Sequence, residues 1–142
     1  MVRLTPDTMA GFQPAPRMTS TPDEGLAFYW EKMTSEGFAY AILDSSDRPV
    51  GACGFWLYDE LNPRKAEMWA VFSADARGVM PGVTRRTLAA MEAAKGKLEH
   101  IRAYVEPAFP QAVKWVLLLG FSRTGETIEA PLGVFDVYEW VS

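Results

Sequence analysis

Residues 66–82 read Ala66-Glu67-Met68-Trp69-Ala70-Val71-Phe72-Ser73-Ala74-Asp75-Ala76-Arg77-Gly78-Val79-Met80-Pro81-Gly82. Ala66 to Phe72 is apolar at every position but Glu67 and predicts a strand. Ser73 to Pro81 predicts a loop. From about Gly82 to Lys95 the spacing predicts a helix, with Val83, Thr87, Met91 and Ala94 on one stripe. A strand that passes through such a loop to a helix N-terminus gathers free amides and the positive end of the helix dipole at one point, which suits an anion. Gly78 and Gly82 allow a ligand to come close to the backbone. Arg77, Arg85 and Arg86 add positive charge at the edges, although Arg85 and Arg86 also suit the solvated side of an amphipathic helix. Pro81 removes one amide that would otherwise donate.

The remaining elements follow outward from this stretch. On the N-terminal side, Val2 to Leu4 is a short extended start, and Thr5-Pro6-Asp7 is a turn or a helix entry. Thr21, Pro22 and Glu24 mark the start of a helix through a capping box. Leu26, Tyr29, Trp30 and Met33 share one face of it, and Gly37 is a natural stop. Phe38 to Leu43 and Val50 to Tyr58 form a hairpin around the turn residues Asp44 to Arg48. Gly51 and Gly54 mark a bulge or a close backbone approach. Alternation places Phe55 and Leu57 on one face and Trp56 and Tyr58 on the other.

On the C-terminal side, Gly96 ends the helix and His100 to Val105 is a strand closed by Pro107. Phe109 to Leu119 is a helix so apolar that it should be buried on more than one face, with Gly120 at its end. Phe121 to Ile128 and Val134 to Val141 are the last strands. The predicted order is β-α-α-β-β-β-α-β-α-β-β over a single domain, residues 1–142.

Composition excludes several classes. The chain has 142 residues, 49% apolar, with a formal charge of −4. That charge argues against nucleic acid, whose phosphates need clustered cations. No apolar run approaches the roughly 18 residues that span a bilayer. No signal peptide is evident, so a cytoplasmic location is expected. One cysteine, Cys53, and one histidine, His100, give no disulfide and no zinc spacing. Cys53 reads as a buried small hydrophobe, and His100 as an exposed residue.

The element order, with Arg77-Gly78 and Gly120-Phe121 as its sharpest markers, resembles the GNAT N-acetyltransferase superfamily across nearly the whole chain. The resemblance implies an acyl-CoA N-acyltransferase fold: an α/β architecture with a mixed central sheet of six to seven strands and flanking helices. It implies an acetyl-CoA-dependent transferase acting on an amine of unstated identity. It implies that acetyl-CoA or CoA is bound by Val71, Phe72, Arg77, Gly78, Val79, Gly82 and Val83, with the pyrophosphate on the loop from Arg77 to Gly82. Met80 replaces the family's central loop glycine. Glu67 falls where many members carry a general base, although Glu67 also suits a surface strand residue paired with Arg64 or Lys65. Strand amides near Val71 would polarise the thioester carbonyl.

Many members place a general-acid tyrosine four residues before the glycine of Gly-Phe. Here that residue is Val116, which has no proton to give, and neighbouring Trp115 is no acid. Tyr104 is a substitute or a packing residue.

A second resemblance, carried by Tyr104-Val105 and Leu119-Gly120, is to the GNAT-like internal virion proteins of podovirus-type phages. It implies a non-catalytic binding or structural protein, located in the virion. Such a protein would have a virion protein or a second copy of itself as partner. Its interface would use exposed aromatics such as Trp56, Trp115 or Trp140.

Overall fold

The turn Asp44 to Arg48 shows how local chemistry sets the first hairpin. Asp44 Oδ1 accepts from the amides of Ser46 at 2.8 Å and Arg48 at 3.0 Å. Asp47 takes the left-handed conformation with φ 58°. These bonds, the Arg48 amide foremost, hold the Asp44 carboxyl below its ordinary range. The turn joins β2 (Gly37–Leu43) to β3 (Pro49–Leu57) in antiparallel register.

The structure, a computed structural model, describes residues 1–5, 7–12, 37–57, 61–62, 64–130 and 133–142. The helix expected from Thr21 to Met33 lies outside them. The other elements are β1 (Val2–Arg3), β4 (Lys65–Phe72), α1 (Met80–Ala94), β5 (His100–Val105), α2 (Pro110–Leu118), β6 (Ser122–Ala130) and β7 (Gly133–Val141). Short 3-10 turns cover Asp7–Met9 and Ala74–Gly78. The strands form a mixed seven-stranded sheet in the order β1-β2-β3-β4-β5-β7-β6.

Two compact units divide the chain, and β4 and α1 each run from one into the other. The first holds residues 1–56 and 69–83. Its core is Leu4, Met9, Ala39, Ala41 and Ala52, with Trp69 and Val71 packed against it. Both strand glycines are close approaches. A Cβ on Gly51 would lie 2.7 Å from the Phe72 ring and 2.9 Å from the Val71 carbonyl oxygen. One on Gly54 would overlap the Phe38 carbonyl oxygen. A bulge also occurs beside Gly51, where the register slips between Ile42 and Leu43.

The second unit holds residues 57–68 and 84–142. Here β4 and β5 run parallel, pairing Lys65 with His100 and Glu67 with Arg102. The strands β5 and β7 are antiparallel, pairing Arg102 with Glu139. Ile101, Ala103, Tyr138 and Trp140 are buried on one face. Along α1, Val83, Thr87 and Met91 are buried as their spacing predicts.

The helix α2 ends in a Schellman motif. Gly120 has φ 90°, its amide donates to Leu117 O, and the Phe121 amide donates to Val116 O. Phe121 and Val116, the two positions that carry apolar side chains in this cap, are both buried.

Three expectations are corrected. The helix α1 begins at Met80, and the preceding stretch is a 3-10 turn rather than an open loop. The helix α2, expected to be buried on more than one face, is covered along one stripe only, since Leu117 is 51% and Leu118 65% exposed. Its apolar composition reflects sequence, while only one stripe meets the core. Trp140 is buried, so it offers nothing to an exterior aromatic surface.

Candidate functional site

The segment from Val71 to Val83 lies wholly in the first unit. It begins at the end of β4, where Val71 and Phe72 are half-buried. The Ser73 amide donates to Val50 O at 2.9 Å, and Ser73 Oγ caps the 3-10 turn by accepting from the Asp75 amide at 3.3 Å. Ala76 is buried and pins the turn, leaving Arg77 and Gly78 exposed.

Pro81 stands at the second position of α1, where its fixed φ suits the first turn and no intrahelical amide is lost. Not every amide in the segment is available. Val79 donates to Ala76 O at 3.0 Å, and Val83 donates to Val79 O at 3.1 Å.

The two glycines are unexplained by the fold. Neither has a positive φ, so neither backbone conformation requires glycine. Among the described residues nothing lies within 4 Å of a Cβ built on either one. Glycine within the first turn of a helix is less favourable than alanine by roughly 0.5–1 kcal/mol. Open space beside an unhindered backbone at a helix start is a place where an anionic group fits. The residues present therefore suit a pyrophosphate, although Asp75 sets one negative charge nearby.

Glu67, Tyr104, Trp115 and Val116 fall in the second unit, and Cys53 in the first. Glu67 is half-buried on β4, in register with Arg102. The cation Arg64, offered as an alternative partner for Glu67, pairs with Glu99 at 2.6 Å. Val116 is buried, and its aliphatic side chain supplies no proton. Tyr104 is half-buried opposite Val137. Trp115 is half-buried and donates from Nε1 to Thr84 Oγ1 at 3.0 Å. Cys53 is buried, and desolvation pushes its thiol up to about 12. Tyr58 lies outside the described residues.

His100 departs from the sequence expectation. Its side chain is 20% exposed, and Nε2 lies 3.1 Å from Glu139 Oε1. The same oxygen accepts from Arg102 Nε at 2.9 Å. These bonds, His100 first, hold the Glu139 carboxyl below its ordinary value. The three residues come from β5 and β7, more than thirty positions apart in sequence, so no local motif announces them. Among the described residues no group of side chains has the composition of a metal site, and no helix is long and apolar enough to cross a membrane.

This strand order and helix placement define the GNAT acyl-CoA N-acyltransferase fold. Solved structures that share it include a GNAT-family acetyltransferase from Bacillus anthracis, at 16% identity over 95% of this chain and 81% of that one, with a TM-score of 0.60. A spermidine N-acetyltransferase variant from Vibrio cholerae matches at 15% identity over 83% of this chain and 74% of that one, with a TM-score of 0.62. An aminoglycoside acetyltransferase in complex with coenzyme A and kanamycin matches at 18% identity over 83% and 70%, with a TM-score of 0.56. At these identities the likeness is one of fold. No protein-family model and no curated protein sequence matches the chain.

Proposed function

We propose that this chain is an acetyl-CoA-dependent N-acetyltransferase of GNAT type, acting as one domain over residues 1–142. The observation that carries this reading is the pair of glycines, Gly78 and Gly82, which neither packing nor backbone conformation requires. The fold adds weight, since one solved neighbour of it holds coenzyme A.

In this reading the backbone around Gly78 and Gly82 takes the pyrophosphate, and Arg77 supplies a nearby positive charge. Val71 and Phe72 end β4 beside that segment, and Val79 and Val83 shape it. Bound acetyl-CoA supplies the activated acetyl thioester. Glu67 takes the proton from the acceptor amine, directly or through water. No tyrosine stands at Val116 to protonate the thiolate, so that proton comes from solvent or from Tyr104.

Calorimetric titration with acetyl-CoA and with CoA tests the cofactor. Micromolar binding supports the reading, and no binding at millimolar ligand removes it. Turnover with a panel of amines, comparing the wild type with Glu67→Gln, tests the base. Equal rates would rule Glu67 out.

A second reading has an observation of its own, the buried Val116 where an acid is expected. Here the chain is a binding protein that keeps the fold, as in the phage-protein resemblance, with a second copy or a virion protein as partner. Sedimentation of the pure chain distinguishes them: a monomer that binds CoA favours the enzyme. The enzyme reading carries a cytoplasmic location, and the binding reading a virion one.

A further inference from the structure

The two helices meet through one hydrogen bond, from Trp115 Nε1 on α2 to Thr84 Oγ1 on α1, at 3.0 Å. The helix α1 links the parallel strands β4 and β5. The helix α2 links β5 to β6, which also run parallel, because both are antiparallel to β7 between them. A helix that joins parallel strands returns against them, so α1 and α2 run the same way. One turn beyond the bond stand Leu88 on α1, 40% exposed, and Leu118 on α2, 65% exposed. With the half-buried ring of Trp115 they make an apolar seam, wholly within the second unit. We propose that this seam docks an acidic segment of a partner protein, which sets an apolar side chain by Leu88 and Leu118 and carboxylates against Arg85 and Lys114. This surface is independent of the acetyl-transfer reading.

A single exposed leucine is ordinary on a protein surface. Two at one level, on either side of a helix contact, form a patch. The bond to Thr84 holds the indole in one orientation, so less ordering entropy is lost when a partner packs against it. Tryptophan and arginine are the residue types that carry most binding energy at protein interfaces. The apolar part is two leucines and one half-buried ring. That suits one or two anchoring side chains of a peptide better than a lipid surface, which buries a whole apolar helix face.

Charge selects the partner. Arg85 lies three residues before Leu88 and Lys114 four before Leu118, so each cation neighbours its leucine on the helix surface. Both are exposed, and among the described residues neither has an ion pair or a hydrogen bond from its side chain. The one acid within α1 and α2 is Glu92, which is paired with Lys95 at 2.6 Å. Glu106 stands four residues before α2, at the end away from Leu118. Carboxylates brought by a partner therefore meet cations that the chain leaves unmatched. A second copy suits the seam poorly, since a two-fold contact would set Arg85 and Lys114 against the same cations.

The experiment selects from a displayed library of short random peptides on the immobilised 142-residue chain. Enriched peptides should combine Asp or Glu with Leu, Phe or Trp, and synthetic copies should bind the chain in calorimetry. Leu118→Ser should weaken that binding by about tenfold, the scale of an interface anchor. Lys114→Glu should weaken it by a similar factor, and so should added sodium chloride, which screens exposed charges. Both positions are exposed, so both variants should melt close to the wild type. No enrichment over an unrelated protein would overturn the proposal. So would peptides that bind both variants as tightly as the wild type, because they would then sit elsewhere. Co-sedimentation with phosphatidylglycerol vesicles, or a concentration-dependent dimer, that Leu118→Ser abolishes would also overturn it, since a lipid surface or a second copy would then hold the seam. Lys114→Glu and the salt series decide the matter even if Leu118→Ser does not fold.

Discussion

Trp115 donates its indole Nε1–H to Thr84 Oγ1 across 3.0 Å, tying α2 to the second turn of α1. A buried indole usually finds such a partner, and the bond also fixes the rotamer of a large ring. Trp115→Phe keeps most of the apolar area and removes the donor. The expected loss is about 1 kcal/mol, a fall of roughly 3–5 °C in the thermal midpoint. Thr84→Val should give a similar loss. The double variant should lose less than the sum, since both changes remove the same bond. Thermal melts of the four proteins check this.

Glycines separate stability from binding. Gly54→Ala should destabilise the chain by about 2–3 kcal/mol, because the new Cβ meets backbone atoms of β2 that cannot turn aside. Gly82→Ala should behave oppositely. It meets open space in a helix, so the thermal midpoint should hold or rise, by up to about 1 kcal/mol of stability. If pyrophosphate approaches there, the same substitution weakens CoA binding at least several-fold. Paired melting and calorimetry read both effects. A variant with unchanged CoA affinity would remove Gly82 from the proposed site.

Cys53 should be silent in the folded protein. Burial pushes its thiol up to about 12, so almost no thiolate exists at neutral pH. A colourimetric thiol reagent at about pH 8, where a free cysteine is partly ionised, should react with Cys53 only after denaturant is added. Fast reaction without denaturant would show that β3 opens.

The Glu139 carboxyl, held below its ordinary value of 4.5 by His100 and Arg102, should contribute to acid sensitivity. A carboxyl with a lowered folded-state pKa stabilises the fold above its unfolded value, and that contribution is lost as pH falls through the folded value. Glu139→Gln lacks it. At about pH 6 the variant should be less stable by about 0.5–1 kcal/mol, as expected for a part-exposed ion pair. The gap should narrow as pH falls below the ordinary carboxylate value. Urea unfolding at both pH values measures it, and a gap that stays constant would place the acid response elsewhere.

Much of the fold was legible because local chemistry set it. Asp44 to Arg48 reads as a turn from its own side chains, and Gly120 stops α2 through a left-handed residue that the sequence supplies directly. The stripe Val83, Thr87 and Met91 followed from helical spacing alone. The glycine-bearing segment was legible for the same reason, since residues 71–83 are contiguous. What failed had a common cause. The apolar composition of α2 suggested burial on more than one face, yet Leu117 and Leu118 face outward, because packing partners rather than composition decide which stripe is covered. The start of α1 was placed at about Gly82, whereas the helix begins at Met80 with Pro81 in its first turn, where proline is well tolerated.

From residue 37 onward the sequence by itself determined the described elements and their order, because turns, caps and periodicity act within a few residues. Only the tertiary structure joined Arg102 and His100 on β5 to Glu139 on β7. Strand register is fixed by pairing across the sheet, which leaves no mark in the spacing along the chain. The charges that meet there are therefore invisible until the strands are aligned.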